Sequence, residues 1–269
     1  MAYLGIDVGG TKTLVARLSD SGVIEAEEKF PTPANYQDFV VELEKVVVKY
    51  NSDYIRAIGV GIPGKVDYER GVGLTFGNLG WENVPIRSDI EKITGKPVAV
   101  DNDANLAGLS EAMLRRHHHK VLYVTISTGI GTGYIVDQKI DPGLAESEGG
   151  HILVDYEGQA TKWESFASGH AIVETYGKRA EDIHDEPTWR EIAHKIAIGM
   201  IDLLAVIQPD VVVLGGSVGT YFERYGSFLT AELKQLASPM VDVPPIEQAG
   251  RPEKAVVYGC YDLASSYYA

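Results

Sequence analysis

The sequence has almost no cysteine, since Cys260 is the only one among its 269 residues. A single thiol excludes an internal disulfide and any metal site built from several cysteines, and it is typical of a reducing compartment. The chain also lacks the run of roughly 18 apolar residues that a membrane-spanning helix requires. No basic segment with a long apolar run precedes the first predicted strand, as a signal peptide would. We therefore expect a cytoplasmic protein with no membrane partner.

Positive charge is scarce as well. The chain has 24 Lys and Arg against 38 Asp and Glu, which gives a formal net charge of −14. Because DNA, RNA and anionic lipids bind to broad cationic surfaces, we expect no nucleic-acid partner. A phosphorylated small molecule remains compatible with this charge, since backbone amides and a metal ion can bind phosphate locally. The hydrophobic fraction of 45% is typical of a globular protein, and the length corresponds to about two domains.

One pattern occurs twice along the chain: a strand, a turn rich in Gly and Thr, and a second strand. The copies span Leu4 to Leu18 and Leu122 to Val136, without useful sequence identity between them. The repeat predicts an α/β protein with two domains, residues 1–110 and 111–269, and leaves open whether the last helix returns to the first domain. Ligands in such proteins usually lie in the crevice between domains.

Three smaller predictions concern individual elements. Asn35 is expected to cap a helix that reaches Tyr50. The stretch from 65 to about 85 is expected to be rich in loops. The chain is expected to finish with a strand near Ala255 to Tyr258 and a last short helix.

Two turns are candidates for phosphate binding. In the first, Gly9 and Gly10 allow close approach of the backbone to an anion, and Asp7 before them can position Mg²⁺ through water. The second is the turn that contains Thr128 and Gly129. Each alone could be an ordinary glycine-rich turn, but two at matching positions favour one phosphate site. A third glycine pair, Gly215-Gly216, follows a buried strand and leaves room for a ring or a sugar.

Two further groups of polar residues indicate acid–base chemistry and hydroxyl binding. Asp103 can accept a proton from an attacking hydroxyl, while Asn102 hydrogen-bonds another hydroxyl of the same substrate. The alternative for this Asp-rich segment is a helix N-cap. Glu148, His151 and Glu164 could hold the vicinal hydroxyls of a sugar through charge-assisted hydrogen bonds.

Together these motifs resemble the ROK family of sugar kinases, in the actin-like ATPase superfamily, over nearly the whole chain. The resemblance implies two actin-like (ribonuclease H-like) α/β domains that face a central cleft. It implies that Asp103 is the general base and that the sugar is bound by Asn102, Asp103, Glu148, His151 and Glu164. Asn78, in a loop expected near the C2 substituent of the sugar, is a further candidate for sugar binding. The resemblance further implies that ATP is bound by Gly9, Gly10, Thr11, Lys12, Thr128, Gly129, Gly215 and Gly216, with Mg²⁺ held near Asp7.

The sequence departs from the family pattern after His151. Many members carry a cysteine-rich loop there that holds a structural zinc together with the histidine. Here the stretch from Gln159 to Trp163 has no cysteine and is about six residues shorter, whereas a zinc site needs about four ligands. We therefore expect no structural zinc. Some polyphosphate-using glucokinases of the family also lack these cysteines, so polyphosphate remains an alternative donor to ATP.

The expected function is transfer of the γ-phosphoryl group of ATP to a hexose hydroxyl, most simply O6 of glucose. The main alternative is an N-acetylhexosamine kinase acting on GlcNAc or ManNAc. A transcriptional regulator of the same family is disfavoured, since it would need a helix-turn-helix before the first strand, where only Met1 and Ala2 stand. The sequence leaves open whether the protein is a homodimer.

Overall fold

Strands and helices alternate along the computed structural model, which describes residues 1–77 and 79–268, and the predicted α/β class is confirmed. Every described helix is too short or too polar to cross a bilayer. The first part of the chain contains β1 (Ala2–Val8), β2 (Lys12–Ser19), β3 (Ile24–Pro31), α1 (Tyr36–Tyr50), β4 (Ile55–Ile62), β5 (Lys65–Asp67), β6 (Val72–Phe76), β7 (Leu79–Val84), α2 (Ile86–Thr94), β8 (Val98–Asn102) and α3 (Asp103–Leu114).

The second part begins after α3. Single 3₁₀ turns lie at Gly149–His151 and Ala180–Asp182. The regular elements are β9 (Lys120–Ile126), β10 (Ile130–Val136), β11 (Lys139–Ile140), β12 (Leu153–Tyr156), β13 (Gln159–Lys162), α4 (Glu164–Ala167), α5 (Gly169–Tyr176), α6 (Glu186–Ile207), β14 (Val211–Gly215), α7 (Gly216–Gly219), α8 (Phe222–Leu236), β15 (Ile246–Gln248) and α9 (Ala255–Tyr268).

The chain divides into two compact units. The first contains residues 1–110 together with 254–269, and the second contains residues 111–253. The first unit is therefore built from both ends of the chain, with α9 as its last element. The division into two domains that act as separate bodies stays a prediction.

A five-stranded sheet forms the centre of the first unit, in the order β3-β2-β1-β4-β8. β1 is antiparallel to β2 and parallel to β4, which is parallel to β8. The strands β1 and β4 are almost entirely buried, as expected for parallel strands covered on both faces. Asp7, Gly61 and Asp101 lie side by side in this register. The sheet thus places the residues after β1 and β8 at one edge.

The predicted loop-rich stretch between β4 and α2 is instead a small antiparallel sheet, in the order β5-β6-β7. Its strands are only three to six residues long and contain glycine and acidic residues, which are poor strand formers. Burial of Val66, Phe76 and Trp81 against the core of the first unit stabilises it. The prediction was wrong because this packing is tertiary and leaves no periodic signal in the sequence. The helix from Tyr36 to Tyr50 with its Asn35 cap is confirmed.

The last element, α9, is helical from Ala255, so the predicted strand at Ala255 to Tyr258 was wrong. The helix packs against β1 and β4 at glycine positions where its backbone comes very close to the sheet. A Cβ atom on Gly5 would lie 2.9 Å from the carbonyl oxygen of Val257. On Gly59 it would be 2.1 Å from that of Cys260. This close tertiary packing overrides the local strand preference of the β-branched residues.

The second unit repeats the arrangement of the first, with a sheet in the order β11-β10-β9-β14-β15. β9 is antiparallel to β10 and parallel to β14, as β1 is to β2 and β4. The segment from Glu164 to Tyr176 forms two successive helices, α4 and α5. Ser168 lies between them, and its hydroxyl caps α5 by accepting a hydrogen bond from the amide of Ala171.

We predict that Gly259→Ala destabilises the protein by about 2 kcal/mol or more, because overpacking of a close contact typically costs about 1–3 kcal/mol. Its Cβ would lie 1.9 Å from the carbonyl oxygen of Leu106 in α3. Urea unfolding measures the change. The matched control is Gly80→Ala, since a Cβ there would meet nothing within 4 Å. Equal stability of the two variants would show that α9 can shift away from α3 at little cost.

Candidate active site

The turn between β1 and β2 exposes its backbone and is held from behind. Gly10, Thr11 and Lys12 are exposed. The amide of Gly9 donates to the carbonyl of Lys12 at 3.0 Å. Thr32 fixes the turn by donating its hydroxyl to the carbonyl of Gly9 at 2.7 Å and its amide to that of Thr11 at 3.0 Å. An exposed, fixed turn of this kind suits an anion. Sequence reasoning missed Thr32, which lies outside any motif.

Two carboxylates lie close enough to influence each other at the edge of the first sheet. Asp7 is the next-to-last residue of β1 and is partly buried, and Asp103 begins α3. Burial raises the pKa of Asp7 to about 7; the charge of Asp103 adds to this increase, and Lys29 opposes it. A divalent cation would relieve this repulsion, and carboxylate oxygens are ligands that Mg²⁺ prefers. The donor set at Asp7 therefore fits Mg²⁺.

Asn102 ends β8 and directly precedes α3. Its Oδ1 accepts hydrogen bonds from the amides of Ala104 at 2.8 Å and Asn105 at 3.2 Å. Its Nδ2 donates to the carbonyl of Gly64 at 3.0 Å. The alternative interpretation of this segment as a helix N-cap thus holds for Asn102. Nδ2 carries a second proton, so donation to a sugar hydroxyl is chemically compatible with the cap, and that role stays a prediction.

In the second unit, Ser127 links the turn between β9 and β10 to two other elements. Its carbonyl accepts from the amide of Gly169 at 2.6 Å, and its Oγ accepts from the amide of Ser217 at 3.1 Å. Gly216 has φ of 79°, and a Cβ there would lie 2.5 Å from the carbonyl of Ile126. The glycine pair and the second Gly/Thr turn, separate in sequence, are therefore adjacent in this unit.

A cleft of about 740 Å³ opens beside these two turns. Thr128 and Gly216, both predicted to bind ATP, line it. Sequence reasoning missed other lining residues that lie outside recognisable motifs, namely His170, Val173, Arg179, Glu181 and Tyr221. Arg224 fixes one wall by donating to the carbonyls of Ala180, Glu181 and Ile183. The cleft is large enough for a nucleoside, with apolar, aromatic and charged groups on its walls.

The residues predicted to hold sugar hydroxyls partly cluster in the second unit. His151 Nε2 lies 3.0 Å from Glu164 Oε1, so the two side chains are adjacent. Burial raises the pKa of Tyr134, and the nearby charge of Glu148 adds to the increase. The amide of Gly149 donates to the hydroxyl of Thr132 at 3.1 Å, which fixes the turn that carries Glu148 and His151. The predicted Asn78 lies outside the described residues.

The segment where the family pattern has a cysteine-rich loop is the hairpin β12–β13. Its two-residue turn, Glu157-Gly158, has positive φ at both positions, as a type I′ turn requires. The amide of Gly158 donates to Asp155 Oδ1 at 3.0 Å. Across residues 1–77 and 79–268, no group of three or more His, Cys, Asp and Glu side chains is placed to hold a metal ion. The absence of a structural zinc stays a prediction.

The sequence profile described as "ROK family" matches residues 3–266. The chain belongs to the ROK family. The glucokinase of Streptomyces coelicolor is 26% identical over 258 residues, covering 80% of this chain and 81% of the relative. The N-acetyl-D-glucosamine kinase of Vibrio parahaemolyticus is 29% identical over 257 residues, covering 81% and 85%. A ROK family glucokinase from Streptomyces griseus, solved with glucose and AMPPNP, matches with a TM-score of 0.83 at 25% identity and covers 99% of this chain and 100% of that one.

These similarities confirm the predicted family and its actin-like α/β fold class. They also confirm the predicted enzyme class, since this chain is a sugar kinase of the ROK family. The ROK relatives act on different sugars by name, so the family does not define which sugar is phosphorylated. The roles of the individual site residues stay predictions.

We predict that Asp7 contributes a decrease in the free energy of unfolding as pH rises from about 4 to about 7 in metal-free buffer. The folded state holds the proton of Asp7 more tightly than the unfolded state, because the folded pKa of about 7 lies above the unfolded value of 3.8. Stability from this group is therefore present at low pH and lost as the proton leaves, by at most about 4 kcal/mol. Asp101, whose pKa burial raises to about 6, contributes with the same sign.

Asp7→Asn should flatten this dependence, as measured by urea unfolding at several pH values. Asp53→Asn, on an exposed residue of the same unit, is the control. An unchanged slope in Asp7→Asn would mean that Asp7 ionises normally in the folded protein.

Proposed function

We propose that the protein transfers the γ-phosphoryl group of ATP to a hexose, with O6 of glucose as the acceptor. The observation that carries the proposal is the pair of interacting carboxylates, Asp7 and Asp103, beside the exposed first turn. In phosphoryl transfer the protein mainly positions the donor, offsets charge and activates the acceptor hydroxyl. The first unit contains groups suited to each of these tasks.

Asp103 is proposed as the general base that takes the proton of the acceptor hydroxyl. It stands at the first residue of α3, where Asn102 fixes the backbone by capping the helix. A base needs a defined position within hydrogen-bond reach of the hydroxyl, and the start of a capped helix provides one. The neighbouring negative charge of Asp7 makes proton uptake by this pair of carboxylates more favourable.

Asp7 is proposed to hold Mg²⁺ through water. When bound, the metal ion would offset negative charge on the phosphates of the donor. The exposed amides of Gly10 and Thr11 are proposed to contact the same phosphates. Thr32 keeps this turn fixed, so its amides need little reorganisation to bind an anion.

ATP, rather than polyphosphate, is the proposed donor. Support comes from the cleft of about 740 Å³ in the second unit, which offers a volume and mixed lining suited to a nucleoside. A linear polyphosphate has no group that would use the aromatic and apolar walls near Tyr221 and Val173. The related glucokinase of S. griseus was solved with AMPPNP.

The adjacent side chains of His151 and Glu164, together with Glu148, are proposed to bind sugar hydroxyls. Carboxylate oxygens accept from hydroxyls, and His151 can donate or accept. The competing acceptor is an N-acetylhexosamine, which the similarity to the V. parahaemolyticus N-acetyl-D-glucosamine kinase favours. Glucose and GlcNAc differ only in the substituent at C2.

Asp103→Asn is expected to lower kcat by roughly 10² to 10⁴, because it keeps the shape of the side chain but removes the proton acceptor. Sugar affinity, measured by calorimetry, should change little. Asp53→Asn serves as the matched exposed control. Retention of more than about a tenth of wild-type kcat would exclude Asp103 as the base.

A substrate panel tests the proposal as a whole. Glucose, mannose, fructose, allose, GlcNAc and ManNAc are each offered with ATP–Mg²⁺ and with polyphosphate–Mg²⁺. We expect the highest kcat/KM for glucose with ATP. A higher kcat/KM for GlcNAc or ManNAc would show that glucose is not the preferred acceptor. A higher kcat/KM with polyphosphate would show that ATP is not the preferred donor. No transfer to any of these sugars would overturn the proposed function.

A further inference from the structure

Asp101 lies beneath the start of α3 and is bonded to several parts of it. The residue is 7% exposed. Its Oδ1 accepts from the amide of Asn102 at 2.7 Å and from Asn105 Nδ2 at 2.9 Å. The hydroxyl of Tyr68 is a further hydrogen-bond partner of this carboxylate. Asp101 thus contacts the residues on both sides of Asp103 in the chain.

Tyr68 is itself fixed by α2. Arg87 donates to the carbonyl of Tyr68 at 2.8 Å and to that of Glu69 at 3.0 Å, and its amide donates to the carbonyl of Gly71 at 3.1 Å. The turn after β5 is therefore bound to the start of α2 by three hydrogen bonds. The hydroxyl of Tyr68 connects this fixed turn to Asp101, and Asp101 connects it to the first turn of α3.

We propose that Asp101 and Tyr68 form a positioning pair that fixes the orientation of Asp103 for catalysis. The pair does not touch the substrate. It fixes the backbone conformation at Asn102 and in the first turn of α3, from which Asp103 projects. A displacement of about 1 Å at a reacting group can lower the rate by up to about 10²-fold. The inference rests on the proposed function, in which Asp103 is the base.

The geometry favours this role over a purely structural one. Tyr68 and Asp101 line a cavity of about 370 Å³ in the first unit, so part of the pair borders open space instead of close-packed apolar side chains. Burial of a carboxylate costs free energy of desolvation, which its three hydrogen bonds must offset. An apolar residue would fill the position without that cost, but it could not accept from the amide of Asn102.

The test compares Asp101→Asn, Tyr68→Phe and the double variant in the full-length protein. Asp53→Asn and Tyr54→Phe, on two exposed neighbouring residues of the same unit, are the matched controls. For each we measure kcat and KM with the preferred sugar of the panel, sugar affinity by calorimetry, urea stability, and hydrogen exchange of peptides covering 98–108. Tyr68→Phe removes one hydroxyl from a partly buried side chain, so it keeps the test available if Asp101→Asn does not fold.

We expect kcat to fall about tenfold or more for Asp101→Asn and about threefold or more for Tyr68→Phe, with sugar affinity changed less than about threefold. The double variant should lose little more than Asp101→Asn alone, because both substitutions disrupt the same connected group of hydrogen bonds beneath α3. Amide exchange should become faster at 102–105 and remain unchanged in distant peptides.

Other outcomes overturn the inference. If the wild type is active and both variants match their controls in kcat, the positioning role is wrong and the proposed function stands. If kcat and sugar affinity fall together, or the effects of the two substitutions multiply, the residues act on folding or act independently. If the wild type phosphorylates no sugar of the panel, the proposed function fails and this inference fails with it.

Discussion

The close backbone contact between α9 and the first sheet is the constraint on which the candidate catalytic residues depend. At Gly59 and Gly259 no side-chain atom separates the helix from β4 or from α3. Helix α9 therefore contacts β1, which carries Asp7, its neighbour β4, and α3, which begins at Asp103. Because protein interiors are close-packed, a shift of α9 would move these elements. Small residues at these positions are thus a geometric requirement for bringing the two carboxylates together.

The chemistry of the site follows from placing carboxylates where water is scarce. Asp7 would ionise easily at the surface, but partial burial and the charge of Asp103 raise its pKa into the neutral range. Such an arrangement is unfavourable for the isolated protein, and a bound cation would stabilise it. Electrostatic repulsion of this kind is typical of functional sites, where a defined arrangement of charge lowers the stability of the folded protein. The fixed turn at Gly9 and the capped start of α3 place these charges on rigid elements.

Sequence patterns predicted the parts of the molecule that are governed by local rules. The helix capped by Asn35 and the two Gly/Thr turns between strands follow from capping, periodicity and turn chemistry. The small sheet of β5, β6 and β7 could not be predicted in this way, since it depends on packing of Phe76 and Trp81 against distant residues. The first turn of α9 was misread for the same reason. At the site, the motifs indicated Asp103 and Asn102, but the supporting hydroxyls of Thr32 and Tyr68 belong to no local pattern and become visible only in three dimensions.

The construction of the first unit from both ends of the chain has a consequence for its synthesis. Translation delivers β1 and β4 early, whereas α9 leaves the ribosome only after the whole second unit has been made. Until then the glycine-lined face of the sheet has no partner, while residues 111–253 are already complete and free to fold. The order of folding is then expected to be the reverse of the order of the chain, with the N-terminal sheet reaching its final form last. A nascent chain would consequently form the cleft beside Thr128 and Gly216 before Asp7 and Asp103 are held in place.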